Sequence, residues 1–238
     1  MKFLILGDVH AYWEDMNVTI AKAIREHPDI THIVQVGDFG YGPWTGSKPF
    51  KASKGFFSDE EMEVYNNAEK LWLDGNHEDH DLLEQDCGAW QPGWKYMPRG
   101  SVLEVDGYRV MFFGGASSID KPHRIPHVSW WPQESITQAQ VLEALNDDGP
   151  IDAIFSHEHP AAVPYSDERY NNELFGRSDK EGLDALRQHF RPDFWFFGHH
   201  HAPDAGIVEG MQWFCCPIIE MHAYTIWTGT WAGIHRTR

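Results

Sequence analysis

Five short stretches of this chain carry residue types that bind divalent cations. They are Gly7-Asp8-Val9-His10, Gly37-Asp38, Gly75-Asn76-His77-Glu78, Ser156-His157-Glu158-His159 and Gly198-His199-His200-His201. Asp8 and His10 lie two apart, as do His199 and His201, so on an extended chain both members of a pair point to one side. Asp38 and Asn76 add oxygens, and His157 adds a nitrogen. Carboxylate, amide and imidazole together suit manganese, iron or zinc rather than a thiolate-bound zinc. Seven such ligands exceed the needs of one tetrahedral ion, whereas two ions bridged by Asp38 would use them all. Two-metal sites of this kind hydrolyse phosphoesters.

Each fragment alone has an ordinary reading. A Gly-Asp after a strand is usually a turn, and a lone histidine is usually a hydrogen-bonded polar residue. Here, however, buried-looking strands deliver them. Leu4 to Leu6, His32 to Val36, Leu71 to Leu73, Ile151 to Phe155 and Phe194 to Phe197 are apolar runs that end at the candidate ligands. Between the first two, Trp13, Met16, Ile20 and Ile24 fall at helical spacing until Pro28 stops them, a βαβ pattern with function at the carboxyl ends of parallel strands. The Ser58 to Glu61 capping box predicts a helix reaching about Lys70, and a helix is expected from about Gln133 to Asn146. A second capping box, Ser178 to Glu181, predicts a helix ending near Phe190. Val102 to Val105 and Tyr108 to Phe113, joined at Asp106-Gly107, read as a hairpin with a primed turn. Met211 to Cys216 and Tyr224 to Thr228 read as closing strands. With no internal repeat or linker, one α/β domain over residues 1–238 is expected.

The bulk composition narrows the partners. The formal net charge of −17 disfavours an extended nucleic-acid footprint, since polyanions are repelled; a small phosphoester held by metals is not. No apolar run approaches a membrane span, and the apolar part of the N-terminus is shorter than a signal peptide needs. Three cysteines without paired spacing read as free thiols, so a cytoplasmic protein is expected. The sequence sets no oligomeric state.

Asp8-x-His10, Gly37-Asp38, Gly75-Asn76-His77-Glu78, His157 and Gly198-His199-x-His201, in this order, resemble the calcineurin-like metallophosphoesterases, and their size and spacing are similar to the small bacterial and phage enzymes of that superfamily. The resemblance implies a four-layer α/β sandwich, two mixed β-sheets face to face with helices outside, and a metal site at the strand carboxyl ends. It implies one ion held by Asp8, His10, Asp38 and His201 and another by Asp38, Asn76, His157 and His199, manganese first and iron or zinc as alternatives. A metal-bridged hydroxide would then be the nucleophile, with His77 near the leaving group as general acid or charge stabiliser. His157 is preferred over His159 because it directly follows its strand, and His200 is expected to face away from the metals.

Two positions depart from the protein phosphatases of that superfamily. Tyr41 stands where an Asp would orient the catalytic histidine, and Asp74 stands where an Arg would precede Gly75. A phosphoprotein phosphatase is therefore disfavoured, and the partner of His77 is left to Glu78 or Tyr41. Lys121, His123 and Arg124, or the Lys48, Lys51 and Lys54 loop, are the candidates for substrate contact, with Lys121 and Arg124 foremost. Trp44, Phe56, Trp130 and Trp131 are better read as core than as base-stacking residues. The expected activity is a phosphodiesterase or phosphatase on small or exposed, nucleotide-type phosphoesters. The alternatives are a nuclease acting on DNA or RNA ends and, from another class, a non-catalytic binding scaffold.

Overall fold

A computed structural model describes residues 1–42, 46, 48–165 and 176–235. Trp44 lies outside the described residues. In chain order the strands are β1 (Phe3–Leu6), β2 (His32–Val36), β3 (Glu69–Leu73), β4 (Lys95–Tyr96), β5 (Ser101–Val105), β6 (Tyr108–Phe113), β7 (Ala153–Ser156), β8 (Phe194–Phe197), β9 (Asp204–Val208), β10 (Met211–Cys215), β11 (Tyr224–Trp227) and β12 (Ala232–His235). The helices are α1 (Trp13–Glu26), α2 (Asp59–Asn67), α3 (His80–Asp86), α4 (Gln138–Ala144) and α5 (Arg177–Phe190).

The strands form two mixed six-stranded sheets, ordered β12-β11-β1-β2-β3-β4 and β5-β6-β7-β8-β10-β9. Strands β1 to β4 run parallel to one another, as do β6, β7, β8 and β10. Carboxyl ends from both sheets therefore gather on one rim. Alternation along each strand separates two buried faces, which is why the sequence shows continuous apolar runs. Phe3, Ile5, Val34, Val36, Leu71 and Leu73 meet Val110, Phe112, Phe155 and Phe196 between the sheets. On the outer face of the first sheet, Leu4, Leu6, Ile33 and Trp72 share a core with Met16, Ile20 and Ile24 of α1. On that of the second, Met111, Ile154, Trp195 and Phe197 pack with Val141 of α4 and Leu183 and Leu186 of α5. The result is helix, sheet, sheet, helix.

Local signals decide several boundaries. The Ser58 capping box forms, with Glu61 N donating to Ser58 Oγ and Ser58 N donating to Glu61 Oε2, but α2 ends at Asn67 so that Glu69 can pair with β2. Asp106 and Gly107 both take positive φ (49° and 83°), the primed turn read from the sequence. The Ser178 capping box does not form, because α5 starts earlier, behind Gly176 in the left-handed region (φ 66°). The helix expected from Gln133 is shorter; Pro132–Glu134 make a single 3-10 turn, and Thr137 with Gln140 caps α4 instead. Cys87 is exposed and Cys215 and Cys216 are buried, all free. Among the described residues, no helix is long and apolar enough to cross a membrane.

One buried ion pair ties the two halves. Asp74, directly after β3, accepts from Arg99 Nη2 at 2.7 Å and Nε at 3.1 Å, and from Tyr96 Oη at 2.8 Å. Arg99 also donates to the carbonyls of Gln133, Glu134 and Ser135 next to α4. Replacing Arg99 with Met strands a buried carboxylate and is expected to cost about 3–5 kcal/mol in chemical denaturation, most of it recovered by also changing Asp74 to Asn. Burial opposes ionisation of Asp74, but Arg99 outweighs it and holds the carboxyl below its usual range. The contribution of the pair is thus complete above roughly pH 4, the ordinary Asp value, and is lost as pH falls below it.

A candidate metal centre at the strand ends

The backbone at the rim is bent out of the ordinary regions. His10, Asp38, His199 and His201 have φ of 46°, 55°, 65° and 63°, conformations that cost energy in a non-glycine residue and concentrate at functional sites. The turns are locked together: Val9 N and His10 N donate to Asp38 O at 2.9 and 2.8 Å, and Ile219 N donates to Asp8 O at 2.9 Å. Buried Gln35, the one polar residue in the β2 run after His32, donates to the carbonyls of Gly7 and Gly37. The glycines before the candidate ligands allow close approach. A Cβ on Gly37 would lie 2.3 Å from the His157 ring, and one on Gly75 would lie 2.2 Å from Asp38 Oδ1.

Two donor groups result. Ligand atoms of Asp8, His10 and His201 lie within 4.8 Å of one another, and so do those of Asp38, His157 and His199. His10 and His201 bring their Nε2 atoms to 3.1 Å, and His201 Nε2 is 3.4 Å from Asp8 Oδ2. Asp38 lies between the groups, Oδ2 at 3.7 Å from His10 Nε2 and Oδ1 at 3.4 Å from His157 Nε2. Asn76 Oδ1 is 3.1 Å from the same His157 nitrogen. All seven sequence-derived candidates are therefore in one place.

The residues fit divalent cations on chemical grounds. His157 Nδ1 donates to Val36 O at 2.8 Å, which orients the ring and turns Nε2 toward two oxygen acceptors, Asn76 Oδ1 and Asp38 Oδ1. Buried Asp8 Oδ2 has no hydrogen-bond donor among the described residues. Burial would lower the His157 pKa, but Asp38 and Asp8 overturn it and lift it to about 10: the site demands positive charge at that nitrogen, from a proton or a metal. Burial would likewise raise Asp38, yet His157 and His77 hold it well below the usual carboxylate range.

Asn76 is oriented from behind. Its Nδ2 donates to Ser118 Oγ at 2.9 Å, and Ser118 donates to buried Glu134 Oε2 at 2.7 Å, so Oδ1 is the atom turned toward His157. Ser118→Ala should release the amide and weaken metal affinity about tenfold to a hundredfold, read by competition with a chelating indicator. Neither Ser118 nor Glu134 is signalled in the sequence.

His77 is half-buried on the open side, its ring edge-on to His10 at 5.0 Å and its Nε2 4.0 Å from Asp38 Oδ2. Neither expected partner holds it. Tyr41 stacks on Trp72 at 4.8 Å and donates to Asp86, facing the outer core. Glu78 is buried beneath the loops and accepts from the amides of Asp38, Gly40 and Gly75, which makes it a brace for the β2 and β3 turns. Burial and the Asp38 charge push its carboxyl up. Arg124 stands at His77 instead, Nη2 at 2.8 Å from Nε2, its own Nε held by Asp120 at 2.8 Å. Burial takes His77 down to about 4 against the pull of Asp38, with His10 and Arg124 adding to the fall, so it is neutral at pH 7.

Lys121 is not brought to this side; its ammonium lies over the Trp130 ring at 4.2 Å. Lys48, Lys51 and Lys54 are exposed or nearly so, while Trp130 and Trp131 are buried and Phe56 packs against the core. His159 turns toward Phe197, and His200 toward Glu158, Nε2 to Oε1 at 2.8 Å. Glu158 Oε2 also lies 3.8 Å from His199 Nε2, a support for a candidate ligand that sequence reading passed over although it sits beside His157.

Comparison with known proteins gives a consistent picture. Residues 1–203 match the family described as calcineurin-like phosphoesterase. A lariat debranching enzyme from Gallus gallus is 27% identical over 161 residues, 58% of this chain and 30% of that protein, so the chain spans under a third of this relative's length. A solved structure from Thermus thermophilus aligns with a TM-score of 0.60 at 13% identity, covering 100% of this chain and 99% of that one. A dimetal phosphatase from Danio rerio aligns with a TM-score of 0.54 at 14% identity, covering 95% and 91%. At such identities these structures speak to the fold alone.

Proposed function

The chain belongs to the calcineurin-like phosphoesterase family, hydrolases of phosphoester bonds, and from that premise we propose that residues 1–238 form one domain with a dinuclear centre that cleaves small or exposed, nucleotide-type phosphoesters. Asp8, His10, Asp38 and His201 would hold one ion and Asp38, Asn76, His157 and His199 the other. The observation that carries this reading is the pair of donor groups that flank Asp38. When bound, two divalent ions lower the pKa of a shared water toward neutrality and neutralise the oxygens of the phosphoryl group. Manganese, iron and zinc all suit the donor set.

The side chains supply the rest. Asp8 and Asp38 provide the negative charge that retains the cations, and Glu78 keeps their turns in place. Arg124, steered by Asp120 and with Nη1 held among the described residues only by a long 3.4 Å contact to Ser129 O, would turn an Nη N–H to a phosphoryl oxygen. A phosphate held there brings its leaving oxygen to the His77 side, where a neutral imidazole donates a hydrogen bond to it. Lys121, over Trp130, is at most an outer electrostatic contact.

A nucleic-acid substrate is the second reading, favoured by the likeness to a lariat debranching enzyme. The −17 charge restricts it to an exposed end or branch rather than a long duplex footprint. The test is turnover after chelation and metal reconstitution, with bis-p-nitrophenyl phosphate beside p-nitrophenyl phosphate. Faster cleavage of the diester is expected. Faster cleavage of the monoester would make the protein a phosphatase, and bound metal without turnover on either substrate would favour the non-catalytic scaffold.

A further inference from the structure

A second group of metal-ligand residues lies at the opposite end of α1. Glu26 ends that helix and His27 follows it, while His235 closes β12, an outer strand of the first sheet. Ligand atoms of the three lie within 4.8 Å of one another. The two imidazoles stand edge to face, centroids 5.0 Å apart. Nε2 of His27 and Nε2 of His235 are both buried atoms without a hydrogen-bond partner among the described residues. A buried polar atom left unpaired costs about 1–3 kcal/mol, so two such nitrogens in one spot call for an explanation.

We infer that His27, His235 and Glu26 form a further divalent-cation site, suited to zinc, that pins β12 to the end of α1. Two imidazoles and one carboxylate are a borderline-metal donor set, leaving a fourth position for water. Tyr224 prepares the carboxylate: its hydroxyl donates to Glu26 Oε2, and its ring stacks on His235 at 5.1 Å and meets His27 edge-on at 6.1 Å. Such support behind a ligand is usual for metal sites. The charges that face the group are balanced. Lys2 is paired with Asp29 at 2.7 Å, and Lys22 lies 3.7 Å from Glu26 Oε1, the contact a cation would displace. Both histidines are shifted downward, by burial first, which keeps them in the unprotonated form that binds metal. The fourteen-residue α1 separates this site from Asp8 by about 20 Å, so it is distinct from the rim centre. Its consequence is structural, since an outer strand is the part of a sheet most exposed to fraying or mispairing.

The test is zinc content. Chelator-treated protein is equilibrated with buffered micromolar zinc, freed of unbound metal and analysed for zinc and protein. One zinc per chain more is expected in the parent than in His27→Ala, in His235→Ala or in Glu26→Gln, with manganese-supported phosphoester turnover alike in all four. Zinc should also raise the melting temperature of the parent more than that of any folded variant. Equal zinc content in the parent and in every folded variant would overturn the proposal.

Discussion

Asp38→Asn is expected to lower metal-dependent phosphoester turnover about a thousandfold, equivalent to about 4 kcal/mol of barrier. Asp38 turns one carboxylate oxygen toward each donor group, Oδ2 toward His10 and Oδ1 toward His157, and an amide cannot bridge two cations as a carboxylate does. Its buried Oδ1 also accepts from His77 N at 2.8 Å, a bond the Asn oxygen can keep, so the loop after β3 should stay in place. The change also removes a buried carboxylate whose charge His157 and His77 favour, so the metal-free protein is expected to be somewhat less stable but still folded. Turnover and melting temperature measured together separate the two effects. Lost activity with a modestly lowered melt is the expected pair; lost activity with a collapsed melt would assign Asp38 to structure.

His77→Ala is expected to leave metal content intact and to slow cleavage by about a hundredfold on esters with poor leaving groups, with much less effect on p-nitrophenyl esters. His77 sits outside both donor groups, on the side that Arg124 closes. A departing alkoxide gains from the hydrogen bond, whereas p-nitrophenolate hardly does. The low His77 pKa sets the pH dependence. The neutral ring predominates above about pH 4, so its hydrogen bond to the leaving oxygen is expected to stay constant through the neutral range. A leaving-group series compared between parent and variant is the measurement. An identical slope in both would remove His77 from the chemistry.

The parts of this molecule that the sequence displays are those whose signal is local. β1, β2, β3, β7 and β8 are covered on both faces, so each shows a mostly apolar run, and after β1, β2, β3 and β8 a nearby glycine lets the next turn approach closely. Hence the candidate ligands could be named from order and spacing. Strands with one open face were missed: β4 is two residues long, β9 alternates Asp204, Ala205, Gly206, Ile207 and Val208, and β12 reads Ala232-Gly233-Ile234-His235. They exist because a neighbour pairs with them, Met211 with Val208 and Tyr224 with His235. Helix α3 was missed because its start depends on a single cap, Asp79 accepting from Leu82 N.

The supports of the site were hidden for a similar reason. Ser118 reaches Asn76 across forty-two positions of sequence, and Glu134 enters from beyond an irregular segment. Asp74 stood out only as a departure from the Arg of the protein phosphatases; buried against Arg99 and Tyr96, it is half of a structural ion pair. The His77 partner was sought among its neighbours in motif, Tyr41 and Glu78, whereas the contact comes from Arg124. Motif reading finds groups that share a turn, and contacts made by folding distant segments together lie outside its reach.

The most direct test of the shared carboxylate is a manganese titration of chelator-treated protein, following turnover of bis-p-nitrophenyl phosphate and the electron paramagnetic resonance spectrum at each step. Turnover that rises with the second equivalent, together with a spin-coupled pair spectrum that Asp38→Asn abolishes, is the expected result. Full activity at one equivalent, with an uncoupled spectrum throughout, would contradict a dinuclear centre bridged by Asp38.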